Sequence, residues 1–374
     1  RSKTAAFPAA DYICFYRHLR ETGGLLRFSV ALRHKKNISG GSCNTFRCGL
    51  KSCLARGILY NIPSSGCSFC FLIGLKFFME DELQAGSVQI KDPLESSDAV
   101  FEARYVEADS GVELLLMSWR PKNPASERPL IFVPGWVSVI DGWKDLLRVW
   151  VKDRTVYYIE TREKGSARIA KKRLRRDDFT IRRVAADIVN VCRQLPENLE
   201  DCVVAGSSLG ATSLLEAMKN EDFKPHVAFL IGPNGDFKMP FITHFVLLLP
   251  AFFYHIIKHY VIWYLKTFRV DEKREPEQMQ RYRNTLLAAH PQRIKLSTKA
   301  LMGFSLWPNL ERVQVPVGIA YAGSDKLHKS EKIERIAHTL THSLLIRCES
   351  NKYMHSAGIA REYSQFVSGI EERV

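Results

Sequence analysis

Acidic residues are almost missing from the first 78 positions, where Asp11 and Glu21 stand against twelve Lys and Arg. Methionine is missing from the same stretch, Met79 being the first in the chain. Cysteine is scarce everywhere else: residues 79–374 hold only Cys192, Cys202 and Cys348, and the other six of the nine lie upstream. Three scattered cysteines make no spaced framework, so the long C-terminal portion does not depend on disulfides and fits a reducing, cytoplasmic setting.

The shortage of acids locates the charge. A formal net charge of +14 raises nucleic acid or an anionic membrane as a partner. Ten of those charges come from residues 1–78, which leaves an ordinary +4 over 79–374. The basic run 164–176 (KGSARIAKKRLRR) has no interleaved aromatics and no nucleic-acid motif, so it reads as a solvated loop and nucleic acid is not expected as a partner.

Composition therefore breaks near residue 79. Residues 1–78 read as a basic, Cys-rich N-terminal extension outside the folded domain, and 79–374 as the working unit. Two other readings of the extension stay open. Cys67 and Cys70 form one ligand pair, but Cys43, Cys48 and Cys53 lie five residues apart and no His-x3–5-His follows, a poor pattern for zinc. The apolar run 69–78 follows basic residues like a targeting segment, yet it is short and lies deep in the chain.

What the remaining 296 residues contain is an alternation. Residues 101–107 and 112–119 flank the turn Ala108-Asp109-Ser110-Gly111, a hairpin signal. The apolar runs 130–133, 156–159, 203–205, 227–231, 317–321 and 344–346 predict buried strands. Amphipathic stretches predict helices over 141–151, 178–195, 209–220, 330–340 and 358–370. Strands and helices taking turns predict an α/β fold with a mostly parallel central sheet covered on both faces, because each parallel crossover needs a helix-length connection. The rhythm breaks between 231 and 317, an interval too long for a simple crossover. Its sequence reads as helices over 241–268, 275–289 and 291–304, an inserted cap at about 236–312 over the carboxyl ends of the strands.

Gly206-Ser207-Ser208-Leu209-Gly210 falls between a predicted buried strand and a predicted helix, the context a G-x-S-x-G nucleophile elbow requires. A strand that turns sharply into a helix strains the nucleophile's backbone, and the residues two positions away must lack colliding side chains, hence Gly206 and Gly210. A serine hydroxyl is a weak nucleophile at neutral pH and needs a histidine to take its proton and a carboxylate to orient that histidine. Asp325 follows the strand 317–321, and His355 lies in the loop 351–356 before the last helix, giving the chain order Ser, acid, His. Asp236, after the strand 227–231, is the alternative acid.

On these motifs the chain from about residue 101 onward resembles the α/β-hydrolase superfamily, in its capped esterase and lipase-like branch. The resemblance implies Ser208 as nucleophile, Asp325 as acid and His355 as base. It also implies an oxyanion hole, since Pro134-Gly135-Trp136 is similar to the family's His-Gly loop. The backbone N–H of Trp136 would join that of Leu209, with Pro134 departing from the family's histidine. Glu160-x4-Gly165-Ser166 with Arg162 resembles a degraded form of the family's Asp-x-Arg-Gly-x-Gly-x-Ser stretch. A serine nucleophile sets the chain apart from epoxide hydrolases and haloalkane dehalogenases, which use a carboxylate.

The expected function is hydrolysis of carboxylic, lipid-like esters through an acyl-enzyme on Ser208, with no metal or organic cofactor. An inactive ligand-binding or interaction scaffold remains open, as does acyl transfer or peptide cleavage on the same triad. Residues 245–268 (FVLLLPAFFYHIIKHYVIWYLKTF) approach bilayer length but hold Pro250, Lys258 and Lys266, and lysine near mid-segment is costly in hydrocarbon. This segment reads either as a cap helix packed on the catalytic domain or as an interfacial helix in peripheral membrane contact. Both readings imply a small, hydrophobic ester as substrate.

Overall fold

A computed structural model describes residues 14–16, 21–22, 25–26, 30–32 and 90–372, apart from 124–126, 172, 240, 269–275 and 324–329. The chain divides into two compact units, Arg1–Ser87 and Val88–Val374. In the first, Cys14–Tyr16 pairs antiparallel with Val30–Leu32, and Glu21–Thr22 with Leu25–Leu26. The start at Met79, the cysteine pattern from Cys43 onward and the apolar run 69–78 lie outside the described residues.

The second unit is built on a nine-stranded sheet. In chain order its strands are β1 Ala99–Asp109, β2 Val112–Pro121, β3 Leu130–Val133, β4 Val156–Ile159 and β5 Arg168–Ile169. They continue with β6 Val203–Ser207, β7 Val227–Ile231, β8 Val317–Ala322 and β9 Ser343–Cys348. The hairpin β1–β2 and the short β5 pair antiparallel at one side. Strands β4, β3, β6, β7, β8 and β9 run parallel in that spatial order. The order reverses between β3 and β6, so the connections leaving these neighbours go to opposite sides and open a crevice at their carboxyl ends.

The helices α1 Lys144–Trp150, α2 Ile181–Cys192 and α3 Leu209–Met218 are followed in the insertion by α4 Ile242–Val246, α5 Tyr254–Phe268, α6 Pro276–Ala288 and α7 Pro291–Leu301. The last three are α8 Ser330–Thr339, α9 Asn351–Met354 and α10 Ile359–Glu371. Period-two alternation divides the parallel strands between two cores. Leu130, Phe132, Ala205 and Phe229 face Leu147 and Trp150 of α1 and Tyr363 of α10. Ile131, Val133, Val204 and Leu230 face Ile188 of α2, Leu214 of α3 and Ile336 of α8. The fold class expected from the sequence is the one observed. One helix is shorter than the pattern implied: it starts at Ile181 because Thr180 caps it, its hydroxyl accepting the Arg183 N–H, while 176–179 form a separate 3-10 turn. The stretch 351–356, read as loop, holds α9, which Ser350 caps by accepting the Tyr353 N–H.

Candidate active site

The segment joining β6 to α3 carries the geometry that G-x-S-x-G demands. Ser208 has φ 48° and ψ −107°, a left-handed backbone that a side chain adopts only under constraint from its surroundings. Its N–H donates to Ile231 O at 2.8 Å, and Thr212 N–H donates to its carbonyl at 2.9 Å. A Cβ on Gly206 would lie 2.8 Å from Leu214 Cδ1, and one on Gly210 would lie 2.6 Å from Pro134 O and closer still to Val133 O. Both glycines are therefore steric requirements. Gly210 in particular lets the first turn of α3 press onto the end of β3, which brings the positive end of the helix to the serine.

The loop after β3 faces this elbow. A Cβ on Gly135 would stand 3.5 Å from Ser208 Cβ. Ser138 N–H donates to Gly135 O at 3.0 Å, closing a turn around Trp136 and Val137. The indole of Trp136 donates to Ser297 Oγ in α7 at 2.9 Å, which ties the loop to the helical insertion. Leu209, the other candidate oxyanion residue, is the first residue of α3 and packs with Ile181 and Leu301.

His355 follows α9 at the far end of the connection from β9, and its ring lies 4.2 Å from that of Trp143. The Trp143 indole donates to Ser138 Oγ at 3.1 Å, so one buried tryptophan links the histidine to the glycine loop. Asp325 lies outside the described residues, in the segment that follows β8. Asp236 lies inside them, and its carboxylate is engaged in an ion pair with Lys332 of α8.

Three residues that no motif announced stand around the elbow. Asn234, after β7, donates from Nδ2 to Ser208 Oγ at 3.2 Å, and its N–H donates to Thr212 Oγ1 at 2.9 Å. Thr212 Oγ1 in turn donates to Ser208 O at 2.8 Å. Glu163 is buried, and its Oε1 accepts the N–H of Val137 at 3.1 Å and the hydroxyl of Thr161 at 2.7 Å. Val137 itself has φ 46°, so this carboxylate holds a strained residue beside Trp136. Position gave the one available signal: Asn234 sits at the carboxyl end of the strand next to the elbow strand, where open α/β sheets bind ligands.

The basic run from Lys164 is not uniformly solvated as the sequence suggested. Lys164 is buried, because its loop folds back against Ala289 of the insertion, while Arg168 and Lys171 are exposed. Arg162 is buried too, donating to Asp187 of α2 and, at 2.7 Å, to Asp178 O.

No family model matches the chain, and no curated protein matches it in sequence. Solved structures do. The enol-lactonase from Burkholderia xenovorans LB400 is 15% identical, with a TM-score of 0.57 over 72% of this chain and 98% of its own. The esterase from Exiguobacterium antarcticum is 16% identical, with a TM-score of 0.56 over 72% of this chain and 100% of its own. A putative lipase from Acinetobacter baumannii AYE is 14% identical, with a TM-score of 0.52 over 77% and 100%. The chain has the α/β-hydrolase fold. The segment joining β6 to α3 and the glycine loop after β3 meet at the switch point of that sheet.

Proposed function

We propose that this α/β-hydrolase chain is a serine ester hydrolase with Ser208 as nucleophile. The observation that carries the reading is the left-handed backbone of Ser208 between β6 and α3, with Gly210 pressed onto the end of β3. Strain of this kind persists where the surrounding structure over-determines it, and here it lifts a hydroxyl to the carboxyl edge of the sheet. His355 takes the proton of the Ser208 hydroxyl as its oxygen adds to the ester carbonyl. The N–H groups of Trp136 and Leu209 receive the negative charge that develops on the carbonyl oxygen. His355 returns the proton to the departing alcohol, and water then attacks the acyl-enzyme by the same exchange.

Asp325 is the acid of this proposal. In sequence it follows β8 and His355 follows β9, and these two strands are parallel neighbours that end at the same edge of the sheet. Asp236 is committed to Lys332 and is not required. The three buried thiols fit a reducing, cytoplasmic setting.

The helical insertion supports an apolar substrate met at a membrane surface. Phe241 is 75% exposed, Phe245 55%, Leu248 78% and Trp263 51%, a concentration of bare apolar side chains of the kind that marks an interaction surface. Among the described residues no helix is long and apolar enough to cross a membrane. The segment is read as lying on a bilayer and delivering acyl esters to the site beneath.

A fluorophosphonate probe tests the central claim, because it reacts only with an activated serine. Wild-type protein should be labelled on the peptide containing Ser208, and Ser208→Ala should lose labelling together with about 10⁴-fold or more of ester hydrolysis. Folded wild type that takes no label would instead be a ligand-binding scaffold. Labelling with acyl transfer outpacing hydrolysis would make it an acyltransferase, and peptide cleavage would make it a peptidase.

A further inference from the structure

The turn that follows β7 brings an amide to the oxygen of the proposed nucleophile: Asn234 Nδ2 donates to Ser208 Oγ at 3.2 Å. This turn is anchored on both sides of the asparagine. Gly232 N–H donates to Ala320 O of β8 at 2.9 Å, and its φ of 55° turns the chain where the strand ends. Gly235 O accepts the Leu306 N–H at 2.9 Å, and the Trp307 indole packs so closely on Gly235 that a Cβ there would collide with it. Between these anchors the Asn234 N–H donates to Thr212 Oγ1 at 2.9 Å. The same Thr212, fully buried, donates from Oγ1 to Ser208 O at 2.8 Å. One threonine of α3 therefore holds the backbones of the serine and the asparagine together.

What the amide does follows from the valence of a hydroxyl. Ser208 Oγ has one proton to give and two lone pairs with which to accept. In the ester-hydrolase reading, on which this inference rests, the proton goes to His355. The Asn234 N–H takes a lone pair and leaves that proton to the base. We propose that Asn234 is a catalytic residue acting chiefly in the second half of the reaction, when the acyl group leaves Ser208.

In the acyl-enzyme Oγ is an ester oxygen, whose lone pairs are drawn into the carbonyl, so it accepts a hydrogen bond poorly. Water adds to the carbonyl carbon and gives one proton to His355. The C–Oγ bond then breaks with its electron pair going to Oγ, which takes the proton back from His355 as the carboxylic acid departs. Negative charge grows on Oγ during this step. The Asn234 N–H therefore binds the transition state more tightly than the acyl-enzyme, which is the condition for acceleration. Acylation differs, because the free hydroxyl already accepts this bond. There a donor on the nucleophile opposes attack while it stabilises the charge exposed by deprotonation, and the two effects offset.

p-Nitrophenyl butyrate separates the two halves, because its good leaving group makes acylation fast and leaves kcat to report deacylation. Stopped-flow release of nitrophenolate is compared for wild type, Asn234→Leu and Asn234→Ala. Leucine keeps the volume without a donor, alanine adds no bulk, and both keep the backbone N–H to Thr212. With circular dichroism unchanged, kcat should fall about tenfold or more, KM should fall by the same factor, and kcat/KM should stay within about threefold of wild type. The acyl-enzyme should accumulate as a mass adduct on the Ser208 peptide. Fluorophosphonate labelling, which ends at the first bond to Oγ, should keep its wild-type rate. A fall of kcat/KM and of labelling in step with kcat would make Asn234 a brace for the serine and overturn the role, as would an unchanged kcat. Either result leaves ester hydrolysis standing. Wild type that takes no label and turns over no ester removes that reading and the role of Asn234 with it.

Discussion

The strained turn at Ser208 and the glycines on either side of it, Gly206 and Gly210, were legible because the constraint is steric and local, so that a spacing of two residues encodes it directly. The residues that support them were not. Asn234 lies 26 residues from Ser208 and Glu163 lies 26 from Val137, so each contact exists only once the sheet has assembled. The cysteines show the converse, since their scarcity was plain but their environment was not. Burial pushes the Cys192 thiol far above its ordinary value, Cys202 to about 12 and Cys348 to about 11. A raised pKa means less thiolate, so at pH 8 iodoacetamide should leave all three unmodified in the native protein and alkylate them in urea, as read by peptide mass spectrometry. The sign for stability follows. Between about pH 9 and 11 the unfolded thiols ionise while the folded ones keep their protons, so their contribution to stability falls as the pH rises.

At the scale of elements, the strands were easier to read than the connections. Residues 130–133, 156–159 and 227–231 were continuous apolar runs and are strands with those limits. The run 164–176 was read as basic and solvated, yet its first residue, Lys164, is buried, and just ahead of it Arg162 pairs with Asp187, each side chain 1% exposed. Charge counted along a sequence does not say which side of a loop faces inward. Arg162 also reaches Asp109 of the β1–β2 hairpin, so one guanidinium joins the hairpin, the loop and α2. Removing it alone leaves Asp187 buried without its partner. Arg162→Met should therefore cost about 3–5 kcal/mol in denaturant unfolding. Arg162→Met combined with Asp187→Leu should recover most of that loss, because two apolar side chains of similar volume remove the uncompensated charge. A double variant no more stable than the single one would mean that the pair holds these elements in place by geometry that packing does not replace.

For the whole molecule, the alternation of strands and helices sufficed to predict the architecture, and the break in that alternation located the insertion. The surface of the insertion was not legible, because a sequence does not say which apolar residues find partners. From 237 to 270 there is no Asp or Glu, while Lys238, Lys258, Lys266 and Arg269 are present. On α5 the exposed positions Tyr260, Trp263 and Thr267 recur at helical spacing with Lys266 beside them. Exposed aromatics among basic residues, with no acid to repel a headgroup, fit an anionic bilayer better than a neutral one, at roughly 1 kcal/mol per basic residue near the surface. The protein should sediment with vesicles of phosphatidylcholine and phosphatidylglycerol and should bind more weakly to phosphatidylcholine alone. Phe245→Ser with Leu248→Ser should weaken binding to both vesicle types about tenfold or more, since it removes inserted area. Lys258→Glu with Lys266→Glu should weaken only the anionic case, and 0.5 M salt should reproduce that selective loss by screening. Equal binding by all three proteins would remove the membrane from the reading. A concentration-dependent dimer in light scattering, abolished by Phe245→Ser with Leu248→Ser, would assign these side chains to a second copy of the chain.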